Sequence, residues 1–241
     1  MHHLIKDALP AALLDELSRC LRDEARKHGV DSKRHFDARM KTFFIGHAGF
    51  VAKIVALPAI RQFVGSRLKR PVVHHAFPLI KGANAPETLP HQDATFWPFD
   101  ATRSMFTLWV ALEPTDFANG CLRFGPSTNE LLPHEDVETA GGKTHCIPPG
   151  RVTEYVDVPM NRGDAVFFDS AQIHAAFPNR TAEHRYSMKI VFGEGTALPA
   201  YWFPCDDISK LSYYRHNPDK AATQIRKRVQ SLMSRLGGGK S

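Results

Sequence analysis

Asp164-Ala165-Val166-Phe167-Phe168-Asp169-Ser170-Ala171-Gln172-Ile173-His174 opens on a short apolar run and closes on a histidine. A run of this length and composition, entered through the turn signal Arg162-Gly163-Asp164, reads as a buried strand. His174 then stands at or just past the strand's end, and Pro178-Asn179 turns the chain. A new apolar strand starts at Arg185, and a hairpin of this kind returns Arg185 alongside His174. Side chains alternate along a strand, so Arg185 and Ser187 share one face.

Working outward, Val72–Leu79, His91–Phe96, Met105–Leu112, Gly120–Phe124, Arg151–Val158, Asp164–Phe168 and Arg185–Phe192 all read as short β-rich segments. Gly82-Ala83-Asn84, Asn119-Gly120, Gly141-Gly142 and Pro148-Pro149-Gly150 supply turns between them. Short strands without intervening helices predict a sandwich or barrel, not a βαβ sheet. The flanks are helical. Leu13, Leu14, Leu17, Leu21 and Ala25 recur at helical spacing after Pro10, and a second helix is expected from about Gly49 to Leu68. From Pro218, Ile225, Val229, Leu232, Met233 and Leu236 form an apolar stripe flanked by Arg226, Lys227, Arg228 and Arg235. The expected organisation is one domain over 1–241: helical support over 1–70, a β core over 71–200, and an extension over 201–241 carrying this basic amphipathic helix.

The 241 residues suit a single domain, since all-β folds of about 200–250 residues are common. Lys and Arg exceed Asp and Glu by 6 and the pI is about 9.2, which favours anionic partners. Basic residues are scattered without interleaved aromatics, so nucleic acid is not expected. Cys20, Cys121, Cys146 and Cys205 lie far apart with no Cys-x-x-Cys pair, which argues against a zinc ribbon and suits reduced thiols. No secretory signal or apolar run of about 18 residues is visible, so a cytoplasmic location is expected. The basic C-terminal helix packs on its own domain in the plainer reading; peripheral contact with an anionic membrane is the alternative.

Against this background His91-Gln92-Asp93 is the chemical centre. In an extended segment the imidazole and carboxylate leave the same face, and with a distant histidine they form the facial triad that holds non-haem Fe(II) with open positions. His174 is the best third ligand. A second copy of the pattern, His134-Glu135-Asp136, sits among Glu130, Glu138 and Gly141 and reads as an exposed loop. Arg185 and Ser187, aimed inward near the metal, read as a carboxylate clamp, because an arginine facing a core is costly without an anion. Arg180, in the turn, is the alternative partner. Phe96, Trp97 and Phe99 follow the ligand pair and either wall a pocket or serve as plain core. One of His74 and His75 must face inward, for packing or for a substrate hydrogen bond. Lys81 follows that strand toward the metal segment and is a candidate contact for an anionic substrate.

The blocks His91-Gln92-Asp93-Ala94-Thr95-Phe96-Trp97-Pro98, Thr107 to Leu112, Asn119-Gly120-Cys121-Leu122-Arg123, Gly163-Asp164 through His174, and Arg185 together resemble the phytanoyl-CoA dioxygenase family. The resemblance covers about Val72 to Phe192. It implies a mainly β fold with helical flanks, a double-stranded β-helix (jelly-roll, cupin-like) core, and dependence on Fe(II), 2-oxoglutarate and O₂. By position it implies His91, Asp93 and His174 as metal ligands and catalytic centre. It implies Arg185 on the distal carboxylate of 2-oxoglutarate, Trp109 packed against the cosubstrate, and Ser187 as an added hydrogen bond. The expected reaction hydroxylates an unactivated C–H bond of a small or lipid-linked anionic molecule, releasing succinate and CO₂. The alternatives are desaturation, epimerisation or cyclisation at the same site, or a jelly-roll module that holds metal without oxidation. Two positions depart from the family pattern. Ala176 replaces a hydroxyl often found two residues after the distal histidine, and Gly125-Pro126-Ser127-Thr128 replaces a Pro-Gly-Ser-His loop.

Overall fold

The computed structural model describes residues 2–28, 43–96, 105–128, 130–139, 142–194 and 203–204. In chain order these form β1 (His2–Ile5), α1 (Ala11–His28), α2 (Phe43–Gly46), α3 (Ala48–Val55), α4 (Pro58–Arg67), β2 (Pro71–Lys81), β3 (Thr88–His91) and a 3₁₀ turn (Asp93–Phe96). There follow β4 (Met105–Ala111), β5 (Leu122–Phe124), β6 (Glu135–Thr139), β7 (Gly142–Cys146), β8 (Val156–Val158), β9 (Ala165–Asp169), β10 (His174–Ala176), β11 (Arg185–Glu194) and β12 (Phe203–Pro204). The expected C-terminal helix, together with Trp97, Phe99 and Cys205, lies outside the described residues.

The strands build two facing antiparallel sheets, ordered β1-β9-β4-β11-β2-β12 and β3-β10-β5-β8, with β6 and β7 as a separate ribbon. This is the jelly-roll arrangement that short strands and turn-rich connections predict. Two apolar clusters hold it together. The larger joins α1, α3 and α4 to the outer face of the six-stranded sheet, and it contains Leu14, Leu17, Leu21, Val51, Ile54 and Ile60. The smaller lies between the sheets and contains Trp109, Phe124, Val166 and Phe168. The alternation of β11 divides its side chains between these environments. Tyr186, Met188, Ile190 and Phe192 belong to the helix-covered cluster, leaving Arg185, Ser187 and Lys189 on the opposite, inward face.

Several boundaries differ from the sequence expectation, each for a local reason. The second helix is two helices, because Pro58 at the first position of α4 preorganises a new start after extended Leu57. The strand expected over His91–Phe96 stops at His91, and Thr95 N–H bonds Gln92 O at 3.1 Å to close the 3₁₀ turn. The segment after His134 is not a loop: β6 and β7 pair from Glu135↔Cys146 to Thr139↔Gly142. β1 was not anticipated. It pairs antiparallel with β9, and its exit is fastened by the buried Asp164, which accepts from Lys6 Nζ at 2.8 Å and Asp7 N at 3.0 Å.

Ile190 is fully buried between Ala76 and Leu108 in the centre of the six-stranded sheet. Ile190→Ala removes its packing from both neighbouring strands and leaves a cavity beneath the helices. The expected loss is about 2–5 kcal/mol, read as a lower urea midpoint with an unchanged slope.

Candidate metal centre

The centre is assembled by one ladder. β10 pairs with β3 so that His174 stands directly across from His91, and the two rings lie 4.2 Å apart between centroids. Asp93 opens the 3₁₀ turn just beyond His91. The three therefore converge through a strand end and a turn, not through neighbouring positions on one strand. One ligand atom from each of His91, Asp93 and His174 lies within 4.8 Å of the others, close enough to share a metal ion.

Each ligand is oriented by a second partner. His91 Nδ1 donates to Leu89 O at 2.8 Å and His174 Nδ1 donates to Gln172 O at 2.9 Å, which turns both Nε2 atoms toward the shared point. Burial lowers the His174 pKa although Asp93 opposes the shift, which favours the neutral ring that a metal needs. For Asp93, burial works against ionisation. Lys189 and the two histidines outweigh it and hold the carboxyl far below the usual range. Thr107 Oγ1 donates to Asp93 Oδ2 at 2.8 Å, and Lys189 Nζ donates to Oδ1 at 2.8 Å. Gln92, fully buried between the two ligands, donates to Glu130 O and Ala171 O and accepts from Leu132 N.

His134 shows why the second motif is not a ligand set. Its Nδ1 bonds Leu132 O at 2.8 Å in the same manner as the true ligands, but its Nε2 is taken by Gln92 N–H at 3.1 Å. Glu135 and Asp136 are exposed on the ribbon.

Beyond the metal ligands lies a cationic slot. Arg185 is buried, its Nη1 donating to Gly120 O at 2.6 Å and its Nη2 reaching Ser187 Oγ at 3.4 Å. Its guanidinium carbon stands 5.2 Å from the centre of the Trp109 ring, and its Nε is buried without a hydrogen-bond partner. Arg180, the alternative, is exposed in the turn. Lys81, the last residue of β2, is fully buried, stands opposite Arg185 of β11, and donates to Thr88 Oγ1 at 3.1 Å. Burial first, then the neighbouring Arg185, pulls its pKa down to about 6. Burial also brings Arg185 down to about 10. A buried arginine beside a buried lysine is a setting that an anion would stabilise, since it would favour the charged form of both. Gly120, at φ +94°, lets this happen, since a Cβ there would lie 2.8 Å from Lys81 Cδ and 2.6 Å from Phe177 O. Thr88 stands opposite Ala176, so a hydroxyl is present across the ladder where Ala176 lacks one.

Among the candidate substrate contacts, Phe96 is half exposed with its ring edge toward His91 at 5.8 Å. His75 is half-buried and stacks on Phe77 at 5.2 Å, while His74 is buried, which lowers its pKa to about 4. Sequence reasoning missed Lys189, Thr107 and Gln92. The first had a readable signal: Lys189 continues the two-residue period of Arg185 and Ser187.

A family model described as Phytanoyl-CoA dioxygenase (PhyH) matches residues 4–187, most of the chain. The chain belongs to the phytanoyl-CoA dioxygenase family. A probable phytanoyl-CoA dioxygenase of Caenorhabditis elegans is 38% identical over 101 residues, or 39% of this chain and 32% of that protein. This chain thus matches about a third of the length of that curated relative. Among solved structures, the non-heme monooxygenase ThoJ aligns over 98% of this chain and 94% of its own, with a TM-score of 0.63 and 22% identity. The epimerase SnoN, solved with Fe3+, alpha ketoglutarate and nogalamycin RO, aligns over 90% of this chain and 89% of its own, with a TM-score of 0.57 and 21% identity. Both share the fold of this phytanoyl-CoA dioxygenase family member.

A triad that binds one ion requires all three side chains. His174→Ala should abolish stoichiometric binding of Mn(II) or Zn(II) in calorimetry, whereas Asp136→Ala on the exposed ribbon should leave it unchanged.

Proposed function

We propose that this chain is an Fe(II)- and 2-oxoglutarate-dependent dioxygenase that hydroxylates an unactivated C–H bond of a small or lipid-linked anionic substrate. One juxtaposition carries this reading: a two-histidine, one-carboxylate centre on the same core as a buried, paired Arg185 and Lys81, with the Arg185 Nε left without a hydrogen-bond partner. A module that merely held metal would have no use for the second feature.

The residues divide the work. His91, Asp93 and His174 would hold the metal, a donor set that suits Fe(II) with positions left for other ligands. Arg185, Lys81 and Ser187 bind the distal carboxylate, and Trp109 supplies an aromatic wall against the guanidinium. Iron with 2-oxoglutarate supplies the oxidising power, O₂ being consumed and succinate and CO₂ released. Phe96 and His75 are the proposed substrate contacts, on the side of the metal away from the clamp. The net charge of +6 supports an anionic substrate. The proposed location is the cytoplasm, with the basic segment after Pro218 as a peripheral membrane contact if the substrate is lipid-linked.

The epimerase SnoN supports a second outcome on the same fold. Hydroxylation and epimerisation both begin with hydrogen abstraction, so the same residues serve either. Product mass separates them, because only hydroxylation adds an oxygen atom.

Purified protein with Fe(II), 2-oxoglutarate and O₂ is expected to form succinate, and Arg185→Leu should raise the KM for 2-oxoglutarate at least about tenfold, the cost of losing a charged, bidentate partner. Absence of O₂-dependent succinate, combined with tight Zn(II) binding, would point to the metal-holding module instead.

Cosubstrate affinity should also depend on pH. With the slot empty, Lys81 loses its proton above about 6. A bound carboxylate raises that pKa, so binding takes up a proton. Affinity for 2-oxoglutarate should therefore fall as pH rises above about 6, by up to about tenfold per unit. Calorimetric titrations across that range should show the slope, and Lys81→Met should flatten it.

A further inference from the structure

Lys189 stands at the meeting point of β11, Asp93 and the cavity side of β2. Its ammonium is 2.8 Å from Asp93 Oδ1 and 5.0 Å from the centre of the Phe77 ring, and its side chain is only 13% exposed. The same Oδ1 lies 3.9 Å from His174 Nε2, whereas Oδ2 is occupied by Thr107. The oxygen that faces His174 is thus the oxygen that Lys189 already holds. A buried carboxylate needs a counter-charge, and in the metal-free protein Lys189 supplies it. A divalent ion entering between the histidines must share that oxygen with a like charge, or displace it.

Accepting the metal centre described above, we infer that Lys189 is a positioning residue that holds Asp93 in its ligating orientation and competes with the metal for Oδ1, so that it sets the metal affinity of the site. The arrangement stabilises the empty centre and weakens the filled one. The sign separates it from an ordinary structural contact, whose loss would weaken metal binding along with stability.

The test uses the full chain, with Mn(II) as the probe, followed by calorimetry and by the electron paramagnetic resonance of free Mn(II). Lys189→Gln keeps an N–H donor for Asp93 without the charge and is the variant least exposed to misfolding; Lys189→Met removes both. In Lys189→Gln the metal-free protein should melt at a lower temperature, while the Mn(II) dissociation constant should fall at least about tenfold, as removal of a like charge a few ångströms from a divalent ion requires. Lys189→Arg should stay within about twofold of the unsubstituted protein, since it keeps the charge. A dissociation constant that is unchanged or larger in Lys189→Gln, with circular dichroism showing an intact fold, would overturn the inference. If the unsubstituted protein binds no Mn(II), Fe(II) or Zn(II), the metal centre itself fails; if it binds them and O₂-dependent succinate never forms, the oxygenase reading alone fails.

Discussion

The β3–β10 ladder is the constraint from which the centre follows. Its register places His174 against His91, and Asp93 is fixed because the chain turns at once beyond β3. Slipping the pairing by one residue would send one imidazole to the other face of its sheet. The register is held by more than the ladder. Gln92 ties the ligand turn to the backbone at Ala171, and Gln172 ties the approach to β10 to Gly125 and Ser127. Two buried amides, one beside each half of the triad, thereby lock the loops that carry it.

Electrostatics sets the character of the space between the sheets. Arg185, Lys81 and Lys189 all project between the sheets, and Asp93 is the carboxylate among them. A divalent metal and a dianionic cosubstrate cancel each other's charge, so the surrounding protein needs no further neutralisation on loading. The cations are separated by role. Arg185 and Lys81 pair at one end of β11, whereas Lys189 answers the Asp93 carboxylate nearer its middle. Burial makes each of these charges costly alone, and that cost is what couples binding in one place to protonation in another.

Much of this was legible in the chain. Met105–Leu112 stood out because residues buried on both faces leave a nearly continuous apolar run, Arg185–Phe192 because polar and apolar residues alternate at its start, and both were found within two residues of their bounds. The stripe from Leu13 to Ala25 likewise predicted which face of α1 is buried. Local periodicity fails where tertiary pairing supplies the hydrogen bonds. β1 has no apolar alternation of its own and exists because β9 offers it an edge. The ribbon after His134 is polar on both faces and forms through its own ladder.

The sequence by itself determined the residue types at the centre: two histidines, a carboxylate and an arginine spaced on strands that could carry them, within an order of motifs that marks the family. It also carried two copies of the His-x-Asp pattern, and only the acidic, glycine-bearing surroundings of the second marked it as surface. The tertiary structure supplied the reason, by spending His134 Nε2 on Gln92 and leaving the His91 and His174 nitrogens close to one shared point. It likewise decided that Lys81 and Lys189 face inward. The physical reason is the same in each case: whether a polar side chain is a ligand, a counter-ion or a surface group depends on which other groups the fold brings within hydrogen-bonding distance, and those partners lie far away along the chain.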